Sequence, residues 1–498
     1  MNSVAWLISI PLATSPLIYL VGHVPLIRRR EGEQASRIQP SWALSLIVLA
    51  AMWVLLGLAA RELAAGSTLT YVFGALSLRI DGLSLLTAAL VMSLSTVVVI
   101  FSGVSLAGQV GEDKYYAMVL ATSGAMIGMV CAADLFNLWM WFEAMMVASF
   151  LLVSFCQNRP GALDSSIKYL VQSTVGSMLA LLGIALILAQ TGSLRLDAPY
   201  TGPGSMTLLA AGALIILGFG VKSALVPMHT WLPDVYSRAP IPSVALFSGA
   251  VTVSGLIAIS RALAPFEGAA ALWGSLLLGF ASLNMLAGNL LALRQTDVRL
   301  MLAYSSISHI GTILLGLGAA LYTGTPDAAE AGLLHVLTHG AMKSLAFLAV
   351  GAALFSQGLD LGRPVSVSQL KGLARRSPLV ALALLLAVFS LAGMPPLAGF
   401  ISKWQVFASG MATQEPAIVA LVVFAVLNTL LALGYYLPVV LAVFAEPEAA
   451  GARTVRRLPA RLAIPLLVLI AAVLILGLAP DLARGLTEPA AAALMGTF

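Results

Sequence analysis

The sequence predicts an all-α polytopic membrane protein of about 14 transmembrane helices, with two inverted five-helix repeats (spans 4–8 and 9–13) and broken helices at spans 7 and 12. Three observations carry that expectation: unbroken apolar runs, basic residues gathered on one side, and lysines placed beside proline breaks. Of 498 residues, 60% are hydrophobic and 9% are Asp, Glu, Lys or Arg. Mean hydropathy is +0.99. A soluble domain is about half apolar and about a quarter charged, and a disordered chain has low hydrophobicity. An outer-membrane barrel alternates polar and apolar residues, which these runs do not. A net charge of +5 could point to nucleic acid, but the placement of the charges points to a membrane surface. Cys131 and Cys156, with no Cys-x-x-Cys, exclude a disulfide framework and argue against a zinc or iron–sulfur site.

A span takes about 20 apolar residues. Stretches of that kind centre near residues 12, 51, 95, 123, 145, 177, 215, 252, 281, 311, 342, 389, 430 and 470. The first, Val4 to Val21, has no basic n-region or small-residue cleavage site and runs on to Arg28-Arg29-Arg30. It is expected to be a retained helix rather than a signal peptide. Spans 1–3 then occupy residues 1–110, spans 4–8 residues 111–265, spans 9–13 residues 266–445, and the last span residues 446–498.

With the N-terminus outside, the inner loops hold seventeen basic residues: Arg28, Arg29, Arg30, Arg37, Lys114, Arg159, Arg238, Arg294, Arg299, Arg363, Lys371, Arg375, Arg376, Arg453, Arg456, Arg457 and Arg461. The outer loops hold five: Arg61, Arg79, Arg195, Arg261 and Arg484. The positive-inside rule therefore predicts a multi-pass protein of the cytoplasmic (inner) membrane with both termini outside.

The remaining four basic residues are all lysines: Lys168, Lys222, Lys343 and Lys403, each within or at the end of an apolar helix. Glu143 is the one acidic residue well inside a span, and Asp134 lies nearer the outer end of the same helix. An ionisable group at mid-membrane costs about 2.5–3.5 kcal/mol on insertion scales and usually faces a cavity or a partner. A lysine with a movable carboxylate partner can take and release a proton, which an arginine cannot. The alternative is snorkelling to a headgroup, an even contest for Lys168 near the inner end. His335, His339 and Lys343 follow at i, i+4 and i+8, so they share a polar stripe about 12 Å long, with His309 on the preceding helix. Imidazoles titrate near neutrality, and a titratable stripe suits a proton relay better than isolated core histidines or a b-type haem site.

Two spans are interrupted. The seventh carries Lys222, then Pro227, His229 and Pro233; the twelfth carries Pro395 and Pro396, then Lys403. Proline removes an intrahelical hydrogen bond, and the freed groups are tolerated only beside protein or water. A broken helix with a lysine in each half is the pattern of inverted-repeat transporters. A simple proline kink explains one such site but poorly explains two.

These residues resemble a known family. The run from Asp134 through Asn137 to Glu143 resembles the fifth span of the proton-translocating, antiporter-like membrane subunits shared by respiratory complex I, membrane-bound hydrogenases and Mrp-type cation/proton antiporters. Lys222 to Pro227, His229-Thr230-Trp231-Leu232-Pro233-Asp234, Arg299 to Ser306, His335 to Lys343, and Pro395-Pro396 to Lys403 are similar in the same order. The resemblance implies that Glu143 and Lys222 form an ion-pair switch of the cytoplasmic half-channel, modulated by Lys168. His335, His339 and Lys343 would carry protons across the middle, and Lys403 would load the exit half-channel. The family usually has a lysine after the threonine of the eighth span. Here Thr252 is followed by Val253 and Ser254, so water held by Ser248, Thr252 and Ser254 would have to bridge. The short stretch after the last span also implies that this is not the paralogue with the long lateral extension. Lys403 and the Asp-Leu-Phe-Asn run look closest to Mrp D-type and hydrogenase-linked subunits, with an M- or N-type complex I subunit as the alternative.

The expected function is a proton-conducting module in a hetero-oligomeric membrane complex, with protons, or alternatively Na+, as the ion. No flavin, nicotinamide, metal or iron–sulfur signature is present, so no cofactor is expected and any NADH oxidation belongs to another subunit. Two other classes stay open: a self-sufficient secondary transporter for a small solute, and a scaffold with idle lysines.

Overall fold

Hydrophobic runs this long bury their backbone hydrogen bonds in helices, because lipid offers no partner to an open backbone. The computed structural model describes residues 3–22, 39–66, 69–156, 160–200, 205–266, 268–446 and 456–496. The expected loop residues Arg28, Arg29, Arg30, Arg37, Arg159 and Arg453 lie outside them.

The chain opens with α1 (Ser3–Gly22), α2 (Pro40–Ala64), a hairpin of β1 (Leu69–Phe73) and β2 (Leu76–Ile80), and α3 (Gly82–Ser105). Next come α4 (Glu112–Val130), α5 (Leu135–Val153), α6 (Ala162–Thr191), α7 (Met206–Lys222), α8 (Trp231–Arg238) and α9 (Ile241–Leu263). The second half holds α10 (Ala270–Ala292), α11 (Val298–Thr323), α12 (Pro326–Ser356), α13 (Pro378–Ala392), α14 (Ala398–Ala412), α15 (Pro416–Phe444), α16 (Ala460–Leu478) and α17 (Asp481–Met495). Among the described residues, eleven helices are long and apolar enough to cross a membrane; α7 and α13 are shorter apolar helices. Both predicted breaks are present, between α7 and α8 and between α13 and α14. The hairpin and α17 were not expected.

Small residues at seven-residue spacing bring neighbouring helices to backbone contact. A Cβ on Gly274 would lie 2.5 Å from Tyr322 N, and one on Gly288 would lie 2.5 Å from Ser308 N, which closes α10 on α11. Across α6 and α7, Gly176 and Gly183 face the carbonyls of Gly218 and Ala211, each 2.7 Å from an added Cβ. In the centre, α9, α11 and α12 are buried along almost their whole length. Their apolar side chains meet protein on every side, and their polar ones bond inside the protein, to each other and to neighbouring helices.

Backbone bridges define the two ends of the bundle. Leu78 pairs with Ala132 and Asp134 with Arg195, so the hairpin, the α4–α5 turn and the α6–α7 loop share one face, the hairpin face. At the opposite face Asp297 pairs with Ser366. There Arg299 is fully buried, and its guanidinium donates to the carbonyls of Tyr236 (3.1 Å) and Ala239 (2.6 Å). Arg299 is thus a helix-end clamp and not the solvated loop residue the sequence implied. Arg261 is likewise no loop residue: it sits in the last turn of α9, 6% exposed, 2.6 Å from Asp81. Burial pushes the Asp81 carboxyl up. The charge and hydrogen bond of Arg261, with the Ser84 N–H and Arg79, outweigh burial and hold it below the usual carboxylate range.

Candidate functional site

A helix that stops in mid-membrane leaves carbonyls and amides that need partners, and each break supplies them. At the first break, Asn284 of α10 accepts from Val226 N–H (2.9 Å) and donates to Ala224 O (3.1 Å), while the Trp231 indole donates to Val221 O (2.7 Å). At the second, Lys403 of α14 donates to Leu391 O of α13 (2.9 Å), and Ser390 Oγ accepts from Gly399 N–H (3.0 Å). Pro227, Pro395 and Pro396 lie in these two breaks, as expected.

Lys222, the last residue of α7, is 1% exposed. Its ammonium donates to Ser149 Oγ (3.0 Å) and to Tyr169 Oη, and it stands 4.7 Å from the Tyr169 ring centre. Ser149 and Tyr169 are themselves hydrogen-bonded at 2.6 Å. The expected partner, Glu143, makes no direct ion pair with it: its half-buried carboxylate accepts from Ser177 Oγ, which accepts from the Trp139 indole (2.8 Å). Two groups predicted as an ion pair are therefore apart, each held by hydroxyl groups.

Lys168 does not reach Lys222 either. It pairs with Asp234 at 2.7 Å, each side chain about 40% exposed, beside the Gln172–Thr230 hydrogen bond (2.7 Å). Asp134 is the N-cap of α5 and accepts from Asn137 N–H (2.8 Å), a structural task. His229 lies in the first break, and its Nδ1 is buried without a hydrogen-bond partner.

Around α9 the hydroxyls form a row. Ser223 Oγ donates to Thr252 O (3.1 Å), Tyr236 shares a bond with Thr252 Oγ1 (2.7 Å), and Ser248 meets Ser306 (3.1 Å). Ser254 turns back to Val251 O (2.7 Å), so it adds nothing to the row. The helix runs as a π turn over Phe247–Val251, and His339 Nε2 donates to Ser248 O (3.2 Å). His339 Nδ1 stays buried and unpartnered, a bare lone pair in the interior.

His335 and His309 stack with ring planes 14° apart and share a hydrogen bond of 3.1 Å. On its other side His335 Nδ1 shares a hydrogen bond with Ser402 Oγ (2.9 Å), which also accepts from Thr338 Oγ1 (2.8 Å). Lys343, fully buried, donates to Leu302 O (2.9 Å) and Ser305 Oγ (2.7 Å), and Ser305 is bonded to Tyr436. A cavity about the size of one water joins Lys403 to His309, lined also by Asn289, Thr312, Asn428 and Tyr435.

The structure thus gathers Lys222, Thr252, His309, His335, His339, Lys343 and Lys403 around α9, α11 and α12, while Glu143 and Lys168 bond to other partners, Ser177 and Asp234. Sequence reasoning missed Tyr169, Ser149 and Ser177, and it missed Asn284, Tyr435 and Tyr436. The available signal was buried-type hydroxyl and amide residues inside apolar helices, which only a partner assignment can sort from ordinary ones.

Residues 132–429 match the family described as NADH:quinone oxidoreductase/Mrp antiporter, TM. The F(420)H(2) dehydrogenase subunit N of Methanosarcina mazei is 32% identical over 430 residues, 84% of this chain and 85% of its own. NADH-quinone oxidoreductase subunit N 2 of Acidobacterium capsulatum is 35% identical over 74% of this chain and 75% of its own. Among solved structures, a chain of the Mrp complex from Dietzia sp. superposes with a TM-score of 0.86 at 25% identity, covering 99% of this chain and 97% of that one. A chain of respiratory complex I from Thermus thermophilus gives 0.77 at 29% identity, covering 96% and 98%.

Proposed function

The chain belongs to the NADH:quinone oxidoreductase/Mrp antiporter membrane-subunit family, and from that premise we propose that it conducts protons through two linked half-channels. It is an antiporter-like, multi-pass subunit of a multisubunit membrane complex. In this reading the chain makes fourteen crossings, with α7–α8 and α13–α14 each counting as one, and both termini lie outside with the hairpin face. Residues 111–265 and 266–445 are the two inverted repeats, and each contributes one broken helix and one lysine beside it.

A proton enters from the face opposite the hairpin and reaches Lys222. A carboxylate moved beside an ammonium favours it, and one held away does not. Ser177 holds Glu143 off, so the present arrangement is the unpaired state of the switch. From Lys222 the hydroxyl row of Tyr169, Ser223, Thr252 and Ser248 leads to His339, which meets Ser248 through its Nε2. His335, His309 and Lys343 then offer acceptor sites toward the Lys403 cavity and the exit. Val253 leaves the eighth span without the usual lysine, and the row of hydroxyls takes over its place with water between them.

One observation carries the reading. Lys222, Lys343 and Lys403 are 1%, 0% and 6% exposed, and among the described residues their hydrogen bonds go to hydroxyls and carbonyls, never to a carboxylate. Permanently charged anchors would be paired; groups that must give up a proton are left with neutral acceptors. The test is ion translocation by the purified complex in vesicles. Lys222→Ala and Glu143→Ala each lower translocation at least about tenfold while partner subunits still co-purify. Normal translocation by both variants would remove the mechanism.

A further inference from the structure

The end of α9 that points to the hairpin face carries a charged cluster that the conduction path does not use. Arg261 Nη2 donates to Asp81 Oδ1 (2.6 Å) and to Ser84 Oγ (2.8 Å). Asp81 Oδ1 also accepts from Ser84 N–H (2.9 Å), and Arg79 stands 3.5 Å from Asp81 Oδ2. Two guanidinium groups and one carboxylate leave the cluster one positive charge in excess. Arg261 is 6% exposed and its Nε has no hydrogen-bond partner. With Arg79 it lines a cavity about the size of one water, walled by Leu83, Leu196 and Leu494.

Inward of this cluster α9 changes character. From Gly255 to Ile259 it has no side-chain hydroxyl, an apolar gap of about 9 Å between Ser254 and Ser260, and the Ser260 hydroxyl is spent on the Leu256 carbonyl (3.0 Å). The hydroxyl row around Ser248 and Thr252 therefore points along α9 at an apolar stretch capped by a net cation. A fixed positive charge at a narrow mouth repels protons and other cations strongly, because little solvent is there to screen it.

We propose that Arg79, Asp81 and Arg261 form an electrostatic seal at the hairpin-face end of α9. The seal stops a proton taken up at Lys222 from running straight along α9, so the proton moves sideways to His339. Arg261 is the sealing charge, and Asp81 positions it. This inference rests on the proton-conducting reading above.

Two variants separate the seal from a merely structural ion pair. Arg261→Gln breaks the pair and removes the excess charge; Asp81→Asn breaks the same pair but leaves two guanidinium groups. The full complex in proteoliposomes, without driving substrate, receives a potassium diffusion potential set by valinomycin, and passive proton entry is recorded. Arg261→Gln raises the leak at least about tenfold, Asp81→Asn does not, and adding Lys222→Ala to Arg261→Gln returns it to the parent level. Equal leaks in both single variants, no leak in either, or a leak that survives Lys222→Ala would overturn the seal. Failure of the conduction reading itself shows separately, as undiminished driven translocation by Lys222→Ala.

Discussion

An ammonium group inside a helix bundle needs three acceptors or a counter-ion, and Lys222 finds two hydroxyls and an aromatic face instead. The contrast with Arg261 is instructive. Arg261 has a carboxylate at 2.6 Å, and Asp81 in turn has its folded-state titration depressed by that charge. A depressed carboxyl contributes stability above its unfolded value of about 4, and that contribution is lost only as pH falls through the lower folded value. Thermal unfolding of the complex in detergent should therefore show Asp81→Asn less stable by about 3 kcal/mol at neutral pH. The deficit should hold constant from about pH 8 down to about pH 5 and close only in stronger acid. A deficit that shrank between pH 8 and pH 6 would contradict the pairing. None of these partnerships could be read from the sequence, because Lys222 meets Ser149 and Tyr169 across 73 and 53 residues of chain. Arg261 and Arg299 were misplaced for a related reason: at a helix end, one turn separates a solvated charge from a buried one, and pattern alone does not resolve it.

At the scale of elements, the two broken spans were legible because Pro and Gly beside a lysine are rare in otherwise apolar runs. What each break needed in order to survive was not legible. Asn284 comes from α10, outside the broken span itself, and satisfies two backbone groups that lipid would leave bare. Asn284→Leu keeps the apolar packing but strands the Val226 N–H and the Ala224 carbonyl. We expect a loss of about 2–6 kcal/mol, seen as a lower unfolding midpoint in detergent, because each stranded group costs about 1–3 kcal/mol. An unchanged midpoint would mean the break is held by something other than Asn284. The hairpin escaped prediction because its strands are five residues each, and α17 because it is mixed in polarity and too short for a membrane span.

For the whole molecule, composition and the basic-residue asymmetry were enough to give a polytopic helical bundle, and ordered motifs gave its family. Packing did the rest. Heptad-spaced small residues bring α6 onto α7 and α10 onto α11. The polar residues of α9, α11 and α12 then find their partners inside the bundle, in one another and in side chains of neighbouring helices such as Tyr236, Ser402 and Tyr436. A proton wire needs groups that accept and release, whereas a structural charge needs only to stay charged. That distinction makes Lys222→Arg the most direct measurement. An arginine keeps the positive charge and remains protonated under any working condition. If Lys222 is a proton carrier, the purified complex bearing Lys222→Arg assembles with its partner subunits yet translocates protons at no more than about a tenth of the parent rate. Translocation at the parent rate would mean that a fixed charge suffices at this position and would contradict the account.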